Sequence, residues 1–365
     1  MQSSKDAVDC ILRKRKADFV PLYDSPWGDA TEKWLDEGYP KDKDGKPLPP
    51  NDVFPFDMIG CGGWFDWHAK KNSQEILEET LEWKIVRSGN GAVLKWWKIR
   101  SGTPEHIDFH MSSRKIWEEE YRPHLLNLDK ERVNVKTAKD ALALRNSQKK
   151  FTFFGNQFIW ETLRHSLGDE NMLVTLIEDP DWVKDFNRVY TDFWIAHYRY
   201  LFQEAGLPHG VWVYEDLGYR ERLFCSPRIL EELIFPYYRE LVDFFHSYNL
   251  PVVLHSCGYQ APMIPLAIEA GFDALNPMEV KAGNNIFEYA GKYGDKLAFI
   301  GGFDARVLES GDKALIKKAV TDFMDGMKER KARFIFGSDH SISTDVRLED
   351  FKYAIDVYEE LKAYC

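Results

Sequence analysis

The residues best suited to chemistry are His255 and Cys257, which follow a short apolar run in PVVLHSCG (residues 251–258). The unbroken apolar run predicts a fully buried strand. Residues two apart on an extended segment face the same way, so the imidazole and the thiol would point at one centre. Imidazole nitrogen and thiolate sulfur are both zinc ligands, so the pair predicts part of a metal site. The competing interpretation is a buried structural cysteine beside a hydrogen-bonded histidine.

The elements that would position this pair become regular from residue 151 onward, where strand-like segments alternate with helical periodicity. The six strand-like segments are FTFFGNQF, VWVYEDLGY, PVVLHSCG, FDALNPME, LAFIGGFD and RFIFGSDHSIS. Such alternation predicts a parallel sheet covered by helices. Six units in about 215 residues, with two more strands available upstream, favour a (β/α)8 TIM-type barrel over an open doubly wound sheet. No G-x-G-x-x-G motif follows a strand, so a dinucleotide fold has no direct support.

The region before the regular pattern is expected to be an extension of the same structural domain. Residues 1–150 would form an N-terminal elaboration (helix, loop, β-hairpin) that packs on the barrel and supplies its first strands, and residues 151–365 would complete the barrel. Residues 82–100 predict the hairpin, and Asn90-Gly91 favours a type I′ turn in it. HIDFHM (residues 106–111) is a candidate third strand.

Polar side chains stand at the end of each predicted barrel strand. The C-terminal ends of parallel barrel strands lie on one face, which is where catalytic groups gather. The candidate catalytic residues are the carboxylates Glu215, Asp216, Glu279 and Asp304. The candidate substrate-binding residues, including one from the aromatic N-terminal region, are Trp64, Asn156, Gln157, Tyr214 and Asn276. Helix capping or hydrogen bonding to a neighbouring group is the alternative role, and it is favoured for Asp304 and Asn276.

A catalytic zinc ion takes three protein ligands and leaves a fourth position open. The first choice for the third ligand is His340, because it ends the last predicted strand, which closes the ring beside the first. The carboxylates of Asp339, Glu279 and Glu215 are the alternatives, since carboxylate oxygen also binds zinc. The ligating histidine needs an acceptor on its other ring nitrogen, for which Asp304 or Glu215 is expected.

Composition and charge exclude several classes of protein. The chain has 365 residues, of which 44% are hydrophobic and 29% charged, enough for a sizeable core. A net charge of −11 argues against nucleic acid or an anionic membrane as the main partner. No apolar run approaches the ~18 residues of a membrane span, and the N-terminus lacks a secretory pattern. The five scattered cysteines are typical of reduced thiols in the cytoplasm.

Several stretches resemble the uroporphyrinogen decarboxylase superfamily. In the C-terminal two thirds they are VYEDLGY, SPRILEELIFPYYRELVDFFHSYNLPVVLHSCG, AGFDALNPMEVKAG, KYGDKLAFIGGFDARVL and FGSDHSIS. The early FVPLYDSPWGDATEKWLDEGYP and the GNG hairpin resemble the methyltransferase-like members. The resemblance implies a (β/α)8 barrel with its site at the C-terminal mouth, in agreement with the pattern of strands.

The superfamily has two characterised branches, and the motifs favour one. True decarboxylases use no metal and carry an early Arg-rich stretch of the form RQAGR, whereas this chain has only Arg13 and Arg15 within RKRK. Zinc methyltransferases that work with a corrinoid protein have the His-x-Cys pair, matched by His255 and Cys257. They also carry a cysteine at the end of the last strand, where this chain has His340. The resemblance therefore implies zinc as the cofactor and a corrinoid carried by a partner protein.

The expected function is transfer of a methyl group between a small methylated substrate and a corrinoid protein, with zinc as Lewis acid. A methoxy-aromatic compound is one candidate substrate, walled by aromatic residues such as Trp64. The first alternative is a metal-free decarboxylase in which Asp216, Asp304 or Glu279 steers protons. The second is a non-catalytic barrel that binds a small ligand. A homodimer is the candidate assembly.

Overall fold

The structure, a computed structural model, describes residues 2–99, 102 and 104–364. Strands in this part of the chain form one parallel sheet, one antiparallel sheet and a small ribbon. In chain order they are β1 (Met58–Gly60), β2 (Glu75–Glu79), β3 (Trp83–Arg87), β4 (Ala92–Trp97), β5 (Glu105–Phe109), β6 (Phe151–Asn156), β7 (Gly210–Tyr214), β8 (Gly218–Tyr219), β9 (Arg222–Leu223), β10 (Val252–His255), β11 (Ala274–Asn276), β12 (Ala298–Ile300) and β13 (Phe334–Ile335).

Helices follow most strands of the parallel sheet. The α-helices are α1 (Ser4–Leu12), α2 (Gly28–Trp34), α3 (Pro50–Val53), α4 (Arg114–Ile116), α5 (Val135–Ser147), α6 (Ile159–Leu167), α7 (Asp169–Glu178), α8 (Pro180–Ala205), α9 (Pro227–Leu233), α10 (Phe235–Ser247), α11 (Ile264–Glu269), α12 (Ile286–Tyr293), α13 (Arg306–Glu309), α14 (Lys313–Glu329) and α15 (Leu348–Leu361). Short 3-10 helices span Leu35–Glu37, Arg122–His124, Lys130–Arg132, Ala261–Met263 and Val280–Ala282, and a π turn spans Trp117–Tyr121.

The parallel sheet has the order β1-β6-β7-β10-β11-β12-β13, and an N-terminal segment joins its two edges. Leu22 forms a parallel bridge with Phe336, just beyond β13. On its other side, the Leu22 carbonyl accepts from the backbone N–H of Asp57 at 2.8 Å, just before β1. Residues 21–23 therefore act as the eighth parallel segment, and the predicted (β/α)8 barrel is confirmed. The division at residue 150 stays a prediction, although β1 pairs directly with β6.

The strands alternate between the barrel interior and the helices outside. One buried cluster contains Phe153, Trp212, Val253 and Ile300, whose side chains fill the barrel. The intervening residues of the same strands belong to the larger cluster beneath the helices, for example Val211, Val213, Val252, Leu254 and Phe299. Both faces of the sheet are apolar, which is why the strands appear as unbroken hydrophobic runs in the sequence.

The antiparallel sheet lies in the N-terminal half, in the order β2-β3-β4-β5. The predicted hairpin and third strand are confirmed as β3, β4 and β5. The predicted type I′ turn is wrong, because that turn needs positive φ at both central residues and only Gly91 has it, at +82°. The Asn90 side chain is instead buried, where it accepts from Ala69 N–H (2.6 Å) and donates to Ser166 Oγ (2.6 Å).

No helix in the described ranges is both long enough and apolar enough to traverse a lipid bilayer.

Candidate functional site

The imidazole of His255 and the thiol of Cys257 meet at the C-terminal end of β10. His255 Nε2 lies 3.4 Å from Cys257 Sγ. This closeness follows from their spacing, since β10 runs in parallel between β7 and β11 and alternate residues face the barrel interior. The pair sits at the barrel end where strand termini converge.

A carboxylate from the neighbouring strand completes a cluster of three. Asp216 Oδ1 lies 3.8 Å from His255 Nε2 and accepts from the backbone N–H of Cys257 at 2.9 Å. Among the described residues, Asp216, His255 and Cys257 are the one group of three or more such side chains whose ligand atoms lie within 4.8 Å of one another. Tyr214 is in register with His255, so Asp216, two residues later, stands level with Cys257.

Two glycines allow this close approach of the loops after β7 and β10. Gly258 has φ of +75°, and a Cβ there would lie 2.6 Å from the carbonyl carbon of Gly218. A Cβ on Gly218 would in turn lie 2.3 Å from the carbonyl oxygen of Cys257. Only glycine fits at both positions, and this contact holds Asp216 beside Cys257.

His340, the expected third ligand, is not part of this cluster. Its ring instead lies edge-on to Trp27, with centroids 5.7 Å apart. The preceding residues fix its direction, because Ser338 N–H and Oγ–H both donate to Asp24, and Asp339 accepts from Val280 and Ala305 N–H. The structure thus brings Asp216, rather than His340, to the position of the third ligand, and the ligand assignment itself stays a prediction.

The orientation of the His255 ring is fixed by Asn276. Asn276 Nδ2 donates to the carbonyl of Ile300 at 3.0 Å, so its Oδ1 faces His255 Nδ1 at 2.6 Å and accepts its hydrogen. The lone pair of Nε2 is therefore left pointing towards Cys257. This acceptor is neither Asp304 nor Glu215, so that expectation is wrong.

Three of the predicted catalytic carboxylates have structural partners. Buried Glu215 accepts from the N–H groups of Phe158 and Trp160 and from the Tyr238 hydroxyl. Burial raises the pKa of Glu215 to about 8, although these hydrogen bonds lower it. Asp304 pairs with Arg306 at 2.7 Å, which holds the pKa of Asp304 below its usual range.

The third of these carboxylates, Glu279, lies closer to the cluster. Its Oε2 accepts from the backbone N–H of Gly258 at 2.8 Å, and its Oε1 lies 3.3 Å from Lys281 Nζ. Glu279 therefore supports the loop that carries Cys257, and it adds negative charge beside the thiol.

The predicted substrate-binding residues divide into exposed and buried groups. Trp64 is 53% exposed and stacks on Tyr214 with ring centroids 5.6 Å apart. Gln157 lines a cavity at the mouth together with Tyr214. Asn156 is buried, and its amide donates to the carbonyl of Gly63 at 3.3 Å, so it holds the segment that follows β1. Asn276, as described, contacts His255.

Three cavities meet at the cluster, and each is lined by two of its three members. The first cavity has a volume of about 250 Å³ and is lined by His255 and Cys257 together with Tyr23, Asp24, Trp212 and Tyr214. The second, of about 470 Å³, is lined by Asp216 and His255 and also by Glu161, Arg164 and His165. The third, of about 530 Å³, is lined by Asp216 and Cys257. The cluster is therefore reachable from three directions.

The charge around the cluster suits a cation. Burial, followed by the charges of Asp216 and Glu279, raises the pKa of the Cys257 thiol well above its usual range. A bound metal ion would replace the thiol proton and offset the surrounding negative charge. In a tetrahedral zinc site, bonds of about 2.0–2.3 Å place ligand atoms roughly 3.3–3.8 Å apart. The 3.4 Å between His255 Nε2 and Cys257 Sγ fits the roughly 3.5 Å expected for a nitrogen and a sulfur ligand. The 3.8 Å between His255 Nε2 and Asp216 Oδ1 would have to shorten to roughly 3.3 Å, the spacing of a nitrogen and an oxygen ligand.

Some residues of the mouth were missed in the sequence. Asp24 follows the Pro21–Tyr23 segment, so it would have been recognised as a strand-end residue had this segment been predicted as the first barrel strand. Glu161 lies on α6, and burial raises its pKa to about 7. No strand-end signal marks Glu161, because it reaches the second cavity from a helix.

Comparisons with known proteins agree with this architecture. The sequence model of the family described as Uroporphyrinogen decarboxylase (URO-D) matches residues 163–361. The match to a solved structure of a methyltransferase from Methanosarcina mazei covers 99% of each of the two chains, with a TM-score of 0.70 and 14% sequence identity. The two proteins therefore share a fold. The match to a Listeria monocytogenes protein, provisionally described as a vitamin-B12 independent methionine synthase, has a TM-score of only 0.40 and 12% sequence identity. It covers 91% of this chain and 86% of the Listeria chain. No curated protein matches the sequence.

Proposed function

Since this chain belongs to the uroporphyrinogen decarboxylase family, we propose that it is a zinc-dependent methyltransferase. It would exchange a methyl group between a small methylated compound and a corrinoid protein. The observation that carries the proposal is the cluster of Asp216, His255 and Cys257 at the barrel mouth. The four described cysteines are free, which supports a reducing, cytoplasmic location.

The donor set suits a catalytic rather than a structural zinc site. Asp216, His255 and Cys257 would supply oxygen, nitrogen and sulfur, and three protein ligands leave one position open. When bound, zinc would act as a Lewis acid on an atom of the substrate held at that position. A methyl group bonded to oxygen or nitrogen is transferred poorly unless that atom is polarised or already carries a positive charge, so the reaction of a neutral ether or amine needs such a group.

The residues of the chain orient this centre. Asn276 accepts from His255 Nδ1, which keeps Nε2 free as a donor atom. The backbone N–H of Cys257 holds Asp216 Oδ1, and Glu279 holds the N–H of Gly258. The bond to Asn276 fixes the His255 ring between two strands, and the other two bonds fix the loops that carry Asp216 and Cys257, so the donor atoms are oriented before any substrate binds.

A methyl transfer has two reactants, and the arrangement of the cavities supports two approaches. The first cavity, of about 250 Å³, is large enough only for a small molecule. The second and third cavities are wider, and both are lined by Asp216. We assign the first cavity to the methyl-bearing compound and the wider openings to the corrinoid of a partner protein.

Other proteins bear on the choice between the family's activities. The structure from Methanosarcina mazei that shares this fold is called a methyltransferase. A decarboxylase of a polycarboxylate would need cationic groups around its substrate, yet none of the twelve described residues that line the first cavity is Lys or Arg. Arg164, which lines the second cavity, is already paired with Glu161 and Asp169. These observations favour methyl transfer over decarboxylation.

The test has two measurements: the zinc content of the purified protein, and the transfer of a methyl group from a methylated donor to reduced free cobalamin, monitored by absorbance. We expect about one zinc per chain, lost in Cys257→Ser together with methyl transfer. Cys225→Ser is the matched control, because Cys225 is also free and partly buried but lies outside the cluster. Zinc-replete protein that transfers no methyl group from any methylated donor would overturn the proposal, as would full activity in Cys257→Ser.

A further inference from the structure

We infer that the first cavity binds small organic cations that carry a methylated ammonium group. If the proposed function is correct, such a cation is the methyl donor: the C–N bond breaks, the methyl group passes to the corrinoid and the neutral amine leaves. This part of the inference rests on that function, and zinc would hold a second polar group of the cation, because a quaternary nitrogen has no lone pair to offer a metal. The binding itself depends only on the walls and charge of the cavity, and it can be tested without metal or partner protein.

Aromatic side chains form a continuous wall of the cavity. The rings of Tyr23 and Trp212 lie 5.1 Å apart, and those of Trp212 and Tyr214 lie 6.2 Å apart. Trp64 extends this wall towards solvent by stacking on Tyr214. The faces of tryptophan and tyrosine attract cations, and sets of such rings are typical of sites for quaternary ammonium groups.

The carboxylate of Asp24, which follows Tyr23 in the chain, has no Lys or Arg partner among the described residues. Within the described ranges, the hydrogen bonds that Asp24 accepts all come from neutral donors, namely Ser25 N–H at 2.8 Å and the N–H and hydroxyl of Ser338 at 3.0 and 2.7 Å. The described residues of the lining include no Lys or Arg, and its two histidines, His255 and His340, form no ion pair with Asp24 in the described part of the chain. Burial accordingly raises the pKa of Asp24 to about 6. A ligand cation would provide the missing charge.

The position of the cavity connects the bound cation with the proposed chemistry. His255 and Cys257 line the same cavity as Asp24 and the three aromatic residues. A volume of about 250 Å³ lies below the roughly 300–1,000 Å³ of sites for drug-sized ligands, which restricts the ligand to a small molecule. A neutral methoxy compound would use the aromatic wall but would leave Asp24 without a counter-charge.

The test is calorimetric titration of the chelator-treated protein with choline and with its uncharged analogue, in which a tert-butyl group replaces the trimethylammonium group. Both ligands have the same shape, so the difference isolates the charge. We expect choline to bind at least about tenfold more tightly than the analogue. Equal affinities, or binding of the analogue alone, would overturn the inference.

Variants locate the binding site. Asp24→Asn preserves the size of the side chain and should weaken choline binding about tenfold or more while leaving the analogue unaffected. Asp192→Asn changes the net charge equally at an exposed position on α8, so it should have no effect. If Asp24→Asn does not fold, the comparison of choline with its uncharged analogue on the unaltered chain still tests whether the cavity selects a cation.

The outcomes also separate the inference from the proposed function. Charge-selective binding of choline by a protein that takes up no zinc when zinc is supplied would support the inference and remove the metal centre. Zinc bound at Cys257 without charge-selective binding of choline would support the metal centre and overturn the inference.

Discussion

Replacement of Glu215 tests whether this residue stabilises the fold, as its contacts indicate, or acts in catalysis. Helix α6 begins without a side-chain cap from its own residues. Glu215, at the end of β7, supplies the acceptor oxygens for Phe158 and Trp160 N–H and for the Tyr238 hydroxyl. Glu215→Met keeps the length of the side chain but removes both oxygens, so three buried donors lose their acceptor.

The magnitude follows from these three donors. Each buried donor without a partner costs about 1–3 kcal/mol, and the apolar methionine recovers a part, so we expect a loss of about 3–6 kcal/mol in the free energy of unfolding. Glu215→Gln retains one acceptor oxygen and should cost only about 1–2 kcal/mol.

Urea unfolding followed by tryptophan fluorescence measures both values. Glu204→Met, at an exposed position of α8, is the control and should stay within about 0.5 kcal/mol of the unaltered chain. A stability of Glu215→Met equal to that of the control would refute the capping role. Loss of activity in Glu215→Gln at unchanged stability would instead indicate a catalytic role.

Three further predictions concern other hydrogen bonds. Asn276→Ala removes the acceptor of His255 Nδ1–H and should weaken zinc binding about 10–100-fold in a competition titration with a chelator; unchanged affinity would contradict the assigned orientation. Asn90→Ala removes a buried side chain that joins the antiparallel sheet to α6 and α8, and should lower unfolding stability by about 2–4 kcal/mol; a loss below ~0.5 kcal/mol would refute this. The hydrogen bond to Asp273 raises the pKa of His246, so this pair stabilises the fold fully below the unfolded pKa of about 6.5 and loses its effect as pH rises through the higher folded pKa. Because the pair is partly exposed and screened, urea unfolding at pH 6 and 8 should show the unaltered chain losing only about 0.5 kcal/mol more than His246→Gln; a change of opposite sign would contradict the ion pair.

The barrel could be predicted from the sequence because its strands are buried on both faces. Val252–Leu254 and the other strand cores appear as short apolar runs separated by helical patterns. The eighth segment, around Leu22, is too short to be distinguished as a strand in the sequence, and in the structure it forms an isolated bridge to Phe336 rather than a regular strand. Its neighbour Asp24 was missed for the same reason.

The sequence predicts which residues lie at the strand ends but not what each of their side chains does. Glu215 and Asp216 are consecutive carboxylates that point to opposite sides of β7, one to α6 and the other to the barrel mouth. The apolar residues before them do not reveal which side is inside, since both sides are buried. The pairing of Tyr214 with His255 decides it, and register between distant strands is not contained in local sequence.

Tertiary contacts also decided the hairpin turn. The Asn90-Gly91 pair correctly marks a reversal between β3 and β4, but local propensity for a type I′ turn is outweighed by the buried hydrogen bonds of the Asn90 side chain to Ser166 and Tyr190. These partners lie on α6 and α8, far along the chain.

The central claim, a metal centre formed by Asp216, His255 and Cys257, is tested most directly by X-ray absorption at the zinc edge on zinc-loaded protein. The account predicts one zinc per chain with a single sulfur ligand at about 2.3 Å and lighter N or O ligands at about 2.0 Å. Cys257→Ser should remove the sulfur signal, and Asp216→Asn should weaken zinc binding. His340→Ala should change neither the sulfur signal nor the zinc affinity. A spectrum without sulfur, or one altered by His340→Ala but not by Asp216→Asn, would contradict the account.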